Sequence, residues 1–156
     1  MNELVVAVDD PRRPDILDLL ERHLAFAHEI GPPEGVFALD VEGLVDPKVT
    51  FLSARVDGTL LGVGAIKELD TTHAEIKSMH TLAAARRRGA ASAILERLIA
   101  VARERGYTRV SLETGSMEEF APARALYAKA GFVECGPFAD YPPIWSSTFM
   151  TLELET

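Results

Sequence analysis

A turn rich in arginine and small residues is the first segment whose composition points to chemistry. Arg86, Arg87 and Arg88 precede Gly89, and an apolar pattern of helical period begins directly afterwards. A helix start leaves backbone N–H groups without partners and carries about half a positive charge, so arginines suit it when an anion is bound. The turn lacks both the GxxxxGK[ST] loop and the GxGxxG fingerprint. It therefore predicts a pyrophosphate site built on the backbone of residues 86–92, with a solvated basic turn as the alternative.

The charge of the chain disfavours nucleic acid as the partner of this turn. The 156 residues include 16 Lys and Arg against 24 Asp and Glu, which gives a formal net charge of -8. Nucleic-acid-binding proteins usually carry a basic footprint. An acidic balance weakly favours amine or cationic partners, although plain solubility is the stronger explanation of the charge. We expect no nucleic-acid partner.

The chain carries no sequence signal for export or for a membrane. Cys135 is the single cysteine, so an intramolecular disulfide is impossible, which fits a reducing compartment. The first residues lack the basic region and cleavage site of a signal peptide, and no apolar run approaches the ~20 residues of a membrane helix. These features predict a cytoplasmic protein without a membrane partner.

The histidines do not form a metal-binding pattern. His73 and His80 are an odd number of residues apart on one predicted strand, so strict alternation places them on opposite faces. His23 and His28 are five apart on a predicted helix and do not face each other. No metal is implied.

Periodicity and turn residues define the elements that must position these groups. Asp57-Gly58 between two β-rich runs predicts a hairpin, and Gly62 and Gly64 indicate a bulge or the close approach of a ligand within its second strand. The predicted strands are Leu4–Val8, Val49–Val56, Leu60–Leu69, residues 73–81, 109–113, 132–138 and 147–154. Four helices are predicted. One begins after Pro11 or Pro14, a short one lies near the end of a loop at 31–44, and the other two span Gly89–Arg105 and Pro122–Ala130.

This order, β-α-α-β-β-β-α-β-α-β-β, predicts the α/β class in its α+β form. We expect one domain, residues 1–156, in which about four helices flank a twisted, mixed and mostly antiparallel sheet of about six to seven strands. The strand after the long helix is reached by a crossover, so it can lie parallel to the strand before that helix.

Two spaced motifs resemble those of the GNAT family of N-acetyltransferases. Arg86-x-x-Gly89-x-Ala91 is similar to the family's R/Q-x-x-G-x-G/A signature, and it lies between a predicted strand and helix, as that signature must. Further on, ARALYAKAGF resembles A-x-x-L-Y-x-x-x-G-F. The phrases HAEIKSMHT and CGPFADY resemble a small bacterial subgroup of poorly characterised acetyltransferases. One departure is Phe120, where many members carry Asn.

The resemblance implies acetyl-CoA as the cosubstrate and a slot between two splayed strands for its pantetheine arm. The implied contacts are the backbone of Met79, His80 and Thr81 for the arm, the helix start at Arg86, Arg87, Arg88, Gly89, Ala90, Ala91 and Ser92 for the pyrophosphate, and Phe120, Ala123 and Tyr127.

Acetyl transfer to an amine needs a base for the ammonium, a donor for the oxyanion and a proton for the leaving thiolate. The resemblance assigns Glu75 as the base, with an ion pair to Lys77 as the alternative role and with His80 or a water relay as other bases. It assigns Tyr127 as the acid, with core packing as the alternative. Glu113 could bind a cationic acceptor, and Tyr141 could line the acceptor pocket or a dimer contact.

The sequence therefore predicts an acetyl-CoA-dependent N-acetyltransferase that acts on a primary amine of a small or amino-acid-like acceptor. The acceptor would attack directly in a ternary complex. The alternative is a non-catalytic acyl-CoA-binding or sensing module, which the departure at Phe120 favours. The resemblance also implies a homodimer through the C-terminal strands as one option.

Overall fold

The computed structural model describes residues 3–31, 41–82 and 89–154, and within them it contains a seven-stranded sheet and four α-helices. The strands are β1 (Leu4–Val8), β2 (Val49–Val56), β3 (Thr59–Glu68), β4 (His73–Thr81), β5 (Arg109–Gly115), β6 (Val133–Cys135) and β7 (Ser147–Glu153). The helices are α1 (Pro14–Ile30), α2 (Val41–Leu44), α3 (Ala90–Glu104) and α4 (Ala121–Lys129), with a 3-10 turn at Glu118–Phe120. The predicted class and the order of the elements are confirmed.

Helices cover both faces of the sheet. The apolar stripe of α3 includes Ile94, Leu98 and Val101, and it packs against the alternate positions of β2 to β5 that carry Leu52 and Ile76. On the opposite face, α1 and α2 pack against the remaining alternate positions, in a smaller cluster with Ile16, Leu44, Phe51, Val63 and Ala65 at its centre. The two clusters follow from the period-2 alternation of the strands and the period-3.6 stripes of the helices.

The sheet runs in the order β1-β2-β3-β4-β5-β7-β6, and only β4 and β5 are parallel neighbours. This parallel pairing covers His73–Ile76 on β4 and Arg109–Leu112 on β5, and it stops there. Beyond it, β4 continues beside β3, and β5 continues beside β7 as far as Gly115. The two central strands therefore separate after Ile76 and Leu112, as the resemblance implied.

A β-bulge changes the direction of the side chains in the second half of β4. Ser78 adopts a φ of 57°, and the register between β3 and β4 shifts between Val63 and Ala65. The extra residue on the bulged strand resets the alternation. As a result His73 and His80 point to the same face of the sheet, and our expectation of opposite faces is wrong.

Gly64 lies opposite this bulge and lets α3 approach the sheet. A Cβ built on Gly64 would lie 2.5 Å from Met79 Sδ and 2.6 Å from Ile94 Cγ2. The predicted bulge is confirmed, and the element that lies close to this glycine is α3, whereas the close approach of a ligand stays a prediction. In the described part of the chain, no helix combines the length and apolar character that crossing a membrane requires.

Candidate active site

A cleft of about 170 Å³ opens where β4 and β5 separate. Its walls come from β4, β5, the start of α4 and the loop between β6 and β7, and α1 closes one side. The cleft brings together eight of the residues that the sequence nominated: Glu75, Met79, His80, Glu113, Phe120, Ala123, Tyr127 and Tyr141. Residues from both faces of the sheet reach it because no hydrogen-bonded ladder closes the gap between the two strands.

Glu75 lies on the β4 wall, where it is hydrogen-bonded to two other polar side chains. Lys77 Nζ donates a hydrogen bond to Glu75 Oε2 at 3.1 Å and another to the Tyr141 hydroxyl at 2.6 Å. The Tyr141 hydroxyl in turn donates to Glu75 Oε2. Burial, reinforced by the negative charge of Glu75, raises the pKa of Tyr141, so its hydroxyl keeps its proton. The ion pair that we considered as the alternative role of Glu75 is present.

Glu113 lies on the β5 wall, on the same face of the sheet as Glu75, in a different environment. Glu75 forms an ion pair with Lys77, whereas among the described residues Glu113 forms none. Burial raises the pKa of Glu113 to about 7, the Ser147 hydroxyl and the charge of Lys77 oppose the rise, and the charge of Glu75 adds to it. Glu113 is thus a carboxyl group that changes its protonation near neutral pH.

Tyr127 reaches the cleft from the other face, where α4 packs against the main core. The residue is 6% exposed, and its ring lies edge-on to Phe132 at 5.9 Å between centroids. Burial, with a further contribution from the negative charge of Glu113, raises the pKa of Tyr127. Its hydroxyl therefore holds a proton at neutral pH, as an acid must, and the packing role that we considered is also present.

His80 stacks on His23 of α1, with ring centroids 3.3 Å apart and 23° between the ring planes. Burial lowers the pKa of His80 well below 6.5 and that of His23 to about 4. Both rings are therefore neutral near pH 7, and protonation of His80 is costly, which disfavours it as the base. His23 was not nominated, although a histidine in the apolar stripe of α1 beside Leu19 and Leu20 is the signal that could have found it.

Phe120, the departure from the family motif, lies flat against the end of β5. A Cβ on Gly115 would lie 2.6 Å from Phe120 Cε2, so only glycine leaves room for the ring. The Phe26 ring of α1 meets Phe120 edge-on at 5.7 Å. Arg124 fixes the intervening loop by donating to the carbonyl oxygens of Gly115 at 2.6 Å and Met117 at 2.9 Å.

The described part of the nominated pyrophosphate site, residues 89–92, lies outside this cleft. Gly89 has a φ of +82° and precedes α3, and Ala93 N–H donates a hydrogen bond to Gly89 C=O at 3.0 Å. The N–H groups of Ala90, Ala91 and Ser92 belong to the first turn, which has no intrahelical acceptors for them. Thr81 ends β4 beside Gly62, outside the cleft lining.

Arg86, Arg87 and Arg88 fall outside the described residues, so the structure adds nothing about them. Across residues 3–31, 41–82 and 89–154, no group of three or more His, Cys, Asp or Glu side chains could hold a metal ion.

Comparison with known proteins identifies the family. Residues 14–132 match the model of the acetyltransferase (GNAT) family. The chain is 47% identical to the uncharacterised N-acetyltransferase YsnE of Bacillus subtilis, over 96% of this chain and 99% of that protein. It is 35% identical to an IAA acetyltransferase of Azospirillum brasilense, over 96% of this chain and 97% of that protein. The chain belongs to the GNAT family and is an N-acetyltransferase.

Solved structures share the fold. A Klebsiella pneumoniae protein described as a candidate acyl-CoA N-acyltransferase superposes with a TM-score of 0.83 at 25% identity, covering 97% of this chain and 98% of that one. A GNAT acetyltransferase of Elizabethkingia anophelis, solved with acetyl-CoA bound, superposes with a TM-score of 0.70 at 20% identity, covering 97% and 98%.

Proposed function

We propose that this protein transfers the acetyl group of acetyl-CoA to a primary amine of a small or amino-acid-like acceptor, by direct attack in a ternary complex. The observation that carries the proposal is the cleft between β4 and β5, which places two carboxylates and a protonated tyrosine around one opening. Acetyl transfer to an amine needs a base and an acid within reach of one carbonyl carbon.

The part of the site for acetyl-CoA extends from the cleft to the start of α3. The first-turn N–H groups of α3 and the helix dipole suit a pyrophosphate. Gly89 and Ala91 keep side chains from blocking that approach, and Arg86, Arg87 and Arg88 add positive charge. The Elizabethkingia structure supports acetyl-CoA as the cosubstrate, since that protein of the same fold was solved with it bound.

The bulge in β4 supplies donors for the oxyanion. Ser78 and Met79 have no partner in the ladder between β3 and β4, because the register passes from Lys77 to His80. Backbone N–H groups that are released in this way can bind a developing negative charge at the carbonyl oxygen. Met79 and His80 also border the cleft, and the pantetheine arm would pair with their backbone there.

Different side chains of the cleft carry out the two proton transfers of the reaction. A carboxylate takes the proton of the acceptor ammonium, and Glu75 is the residue that the sequence predicts for this step. Tyr127 supplies a proton to the departing sulfur, which its raised pKa keeps available at every working pH. Glu113 and Tyr141 face the space that an incoming amine would occupy.

The non-catalytic acyl-CoA-binding module that Phe120 suggested does not fit a chain that is an N-acetyltransferase. Such a module has no use for a carboxyl group that titrates near neutral pH beside a buried tyrosine. The two functions differ in thiol release, which only transfer produces.

Titration calorimetry with acetyl-CoA is the first test of the proposed function. We expect binding by the wild-type protein and a loss of at least 100-fold in affinity for Gly89→Glu, because a carboxylate at the helix start repels the pyrophosphate. Gly89→Ala is the matched control, since open space surrounds a Cβ at this position and only the positive φ is unfavourable. Absence of binding at millimolar acetyl-CoA would refute the proposal.

Thiol detection with a panel of acceptors is the second test. The panel holds amino acids, tyramine, ethanolamine, spermidine and, because of the Azospirillum relative, IAA. We expect thiol release with at least one primary amine, and a decrease of roughly tenfold or more in kcat for Tyr127→Phe at saturating acetyl-CoA. Thiol release with IAA alone would show that the acceptor is not an amine. The homodimer and the cytoplasmic location are further predictions, for sedimentation and cell fractionation to test.

A further inference from the structure

We propose that Glu113, rather than Glu75, takes the proton from the acceptor ammonium, and that Glu75 is a positioning residue that holds Lys77 and Tyr141 in the cleft wall. The inference rests on the proposed function, since it names the base of that reaction. Both residues lie on the same face of the sheet, on the two strands that separate to form the cleft.

The contacts of Glu75 hold its carboxylate within the β4 wall, bound to two neighbouring side chains. Its Oε2 already receives hydrogen bonds from Lys77 Nζ and the Tyr141 hydroxyl, and the residue is 4% exposed. Lys77 Nζ lies 3.1 Å from this carboxylate and is also largely buried, so removing either side chain would leave the other charge without its partner, which is costly. These contacts hold Lys77 and Tyr141 in place, which suits a positioning role for Glu75.

Glu113 has the opposite arrangement. The groups that act on it are Lys77 and Glu75 from β4, Ser147 from β7, Tyr127 from α4 and Tyr141 from the loop after β6. Among the described residues none of these forms an ion pair with Glu113. An acceptor ammonium entering the cleft would supply the missing positive charge, and its proton would pass to a carboxylate whose pKa of about 7 suits a base at neutral pH.

The position of Glu113 also couples the base to the acid. The negative charge of Glu113 contributes to the raised pKa of Tyr127. Once Glu113 has taken a proton that contribution is gone, so Tyr127 becomes a better donor at the moment when the sulfur leaves. Glu113 thus acts in two steps: it deprotonates the acceptor ammonium, and its neutralisation lowers the pKa of Tyr127 before the sulfur leaves.

The protons and bonds balance in this scheme. Glu113 receives one proton from the ammonium, and the free amine nitrogen forms a bond to the carbonyl carbon. The carbon–sulfur bond breaks, Tyr127 gives its proton to the sulfur, and the nitrogen returns its remaining excess proton to Tyr127. Glu113 then releases its proton to solvent, so the products are an amide, a thiol and one proton.

The test compares Glu113→Gln with its matched control Glu75→Gln, using thiol release from acetyl-CoA between pH 5.5 and 9. The acceptor is the panel amine with the highest wild-type rate. We expect wild-type kcat/KM to rise with pH to a plateau with an apparent pKa near 7, because the base must be ionised. Glu113→Gln should lower kcat/KM at pH 7 by about 100-fold and replace the plateau by a continued rise, since only amine already deprotonated in solution then reacts. The KM for acetyl-CoA should stay within about threefold of wild type.

Glu75→Gln should keep the plateau and its apparent pKa, and it should act mainly through a higher KM for the acceptor. Glu113→Asp should recover part of the rate and the plateau. The inference is overturned if Glu75→Gln abolishes the plateau while Glu113→Gln retains it, or if both variants retain it. Acetyl-CoA binding without thiol release for any amine would overturn the proposed function and this inference together, whereas the reversed variant pattern would overturn the inference alone.

Discussion

The two walls of the cleft carry one glutamate each, and the neighbours of the two glutamates differ. Two residues after Glu75 on the same face of β4 lies Lys77, which forms the ion pair at 3.1 Å. Two residues after Glu113 on the same face of β5 lies Gly115, which has no side chain to offer. The two carboxylates thus differ in their surroundings: Glu75 has a buried cation beside it, whereas burial without an ion pair raises the pKa of Glu113.

Phe120 explains why the β5 wall has a glycine at that position. The ring lies against Gly115 so closely that even a Cβ there would collide with it. A longer side chain at position 115, such as a lysine in the place that corresponds to Lys77, would collide with the Phe120 ring. The glycine in the β5 wall and the departure from the family motif are therefore parts of one packing arrangement.

Removing the cation from the β4 wall should have the largest effect on stability. Lys77→Met leaves Glu75 buried without a counter-charge, and we expect a loss of about 3–5 kcal/mol in the free energy of unfolding at pH 7.5. Urea denaturation of the variant and the wild type measures this loss. The double variant Glu75→Gln/Lys77→Met is the control, and it should recover most of the loss. A loss below about 1 kcal/mol would show that the two walls do not differ as described.

Neutralising Glu113 should raise the free energy of unfolding, opposite to the effect of Lys77→Met, and the size of the gain should depend on pH. The folded pKa of about 7 lies above the unfolded value near 4.5, so wild-type stability is complete below about pH 4.5 and is lost as the pH rises through 7. We expect Glu113→Gln to be more stable than wild type by roughly 2–3 kcal/mol at pH 8 and by almost nothing at pH 4.5. Denaturation series at the two pH values test this. A difference that does not change with pH would contradict the raised pKa.

Adding a side chain at Gly115 should have the smallest effect of the three. Gly115→Ala must displace the Phe120 ring, at a cost of about 1–2 kcal/mol, because Phe120 is only half-buried and can move in part. Gly136→Ala is the matched control, since nothing lies within 4 Å of a Cβ there. Thermal denaturation compares the two. Equal effects would mean that the contact between Gly115 and Phe120 does not shape this wall.

Local patterns in the sequence were sufficient to predict the fold. The Asp57-Gly58 turn has positive φ values of 50° and 80°, as the hairpin required, and the stripe of α3 is buried as its period indicated. The spacing of Glu75 and Lys77 also predicted their ion pair, because residues two apart on a strand share a face.

The parts of the site that escaped prediction depend on contacts between distant segments. The glycines of β3 indicated a bulge, but no residue type signals the left-handed backbone of Ser78, so the shared face of His73 and His80 could not be predicted from the sequence. The stacking of His23 on His80 joins α1 to β4, and the ring of Phe120 on Gly115 depends on the loop held by Arg124. The burial that raises the pKa of Glu113 likewise comes from several elements at once.

Titration of the carboxyl carbon of Glu113 by ¹³C NMR tests the difference between the two walls most directly. The protein is labelled at glutamate side chains, and the Glu113→Gln variant assigns the resonance by its absence. We predict a midpoint near pH 7 in the protein without ligands. A midpoint below about pH 5, close to the ordinary value of a glutamate, would contradict the assignment of Glu113 as the base.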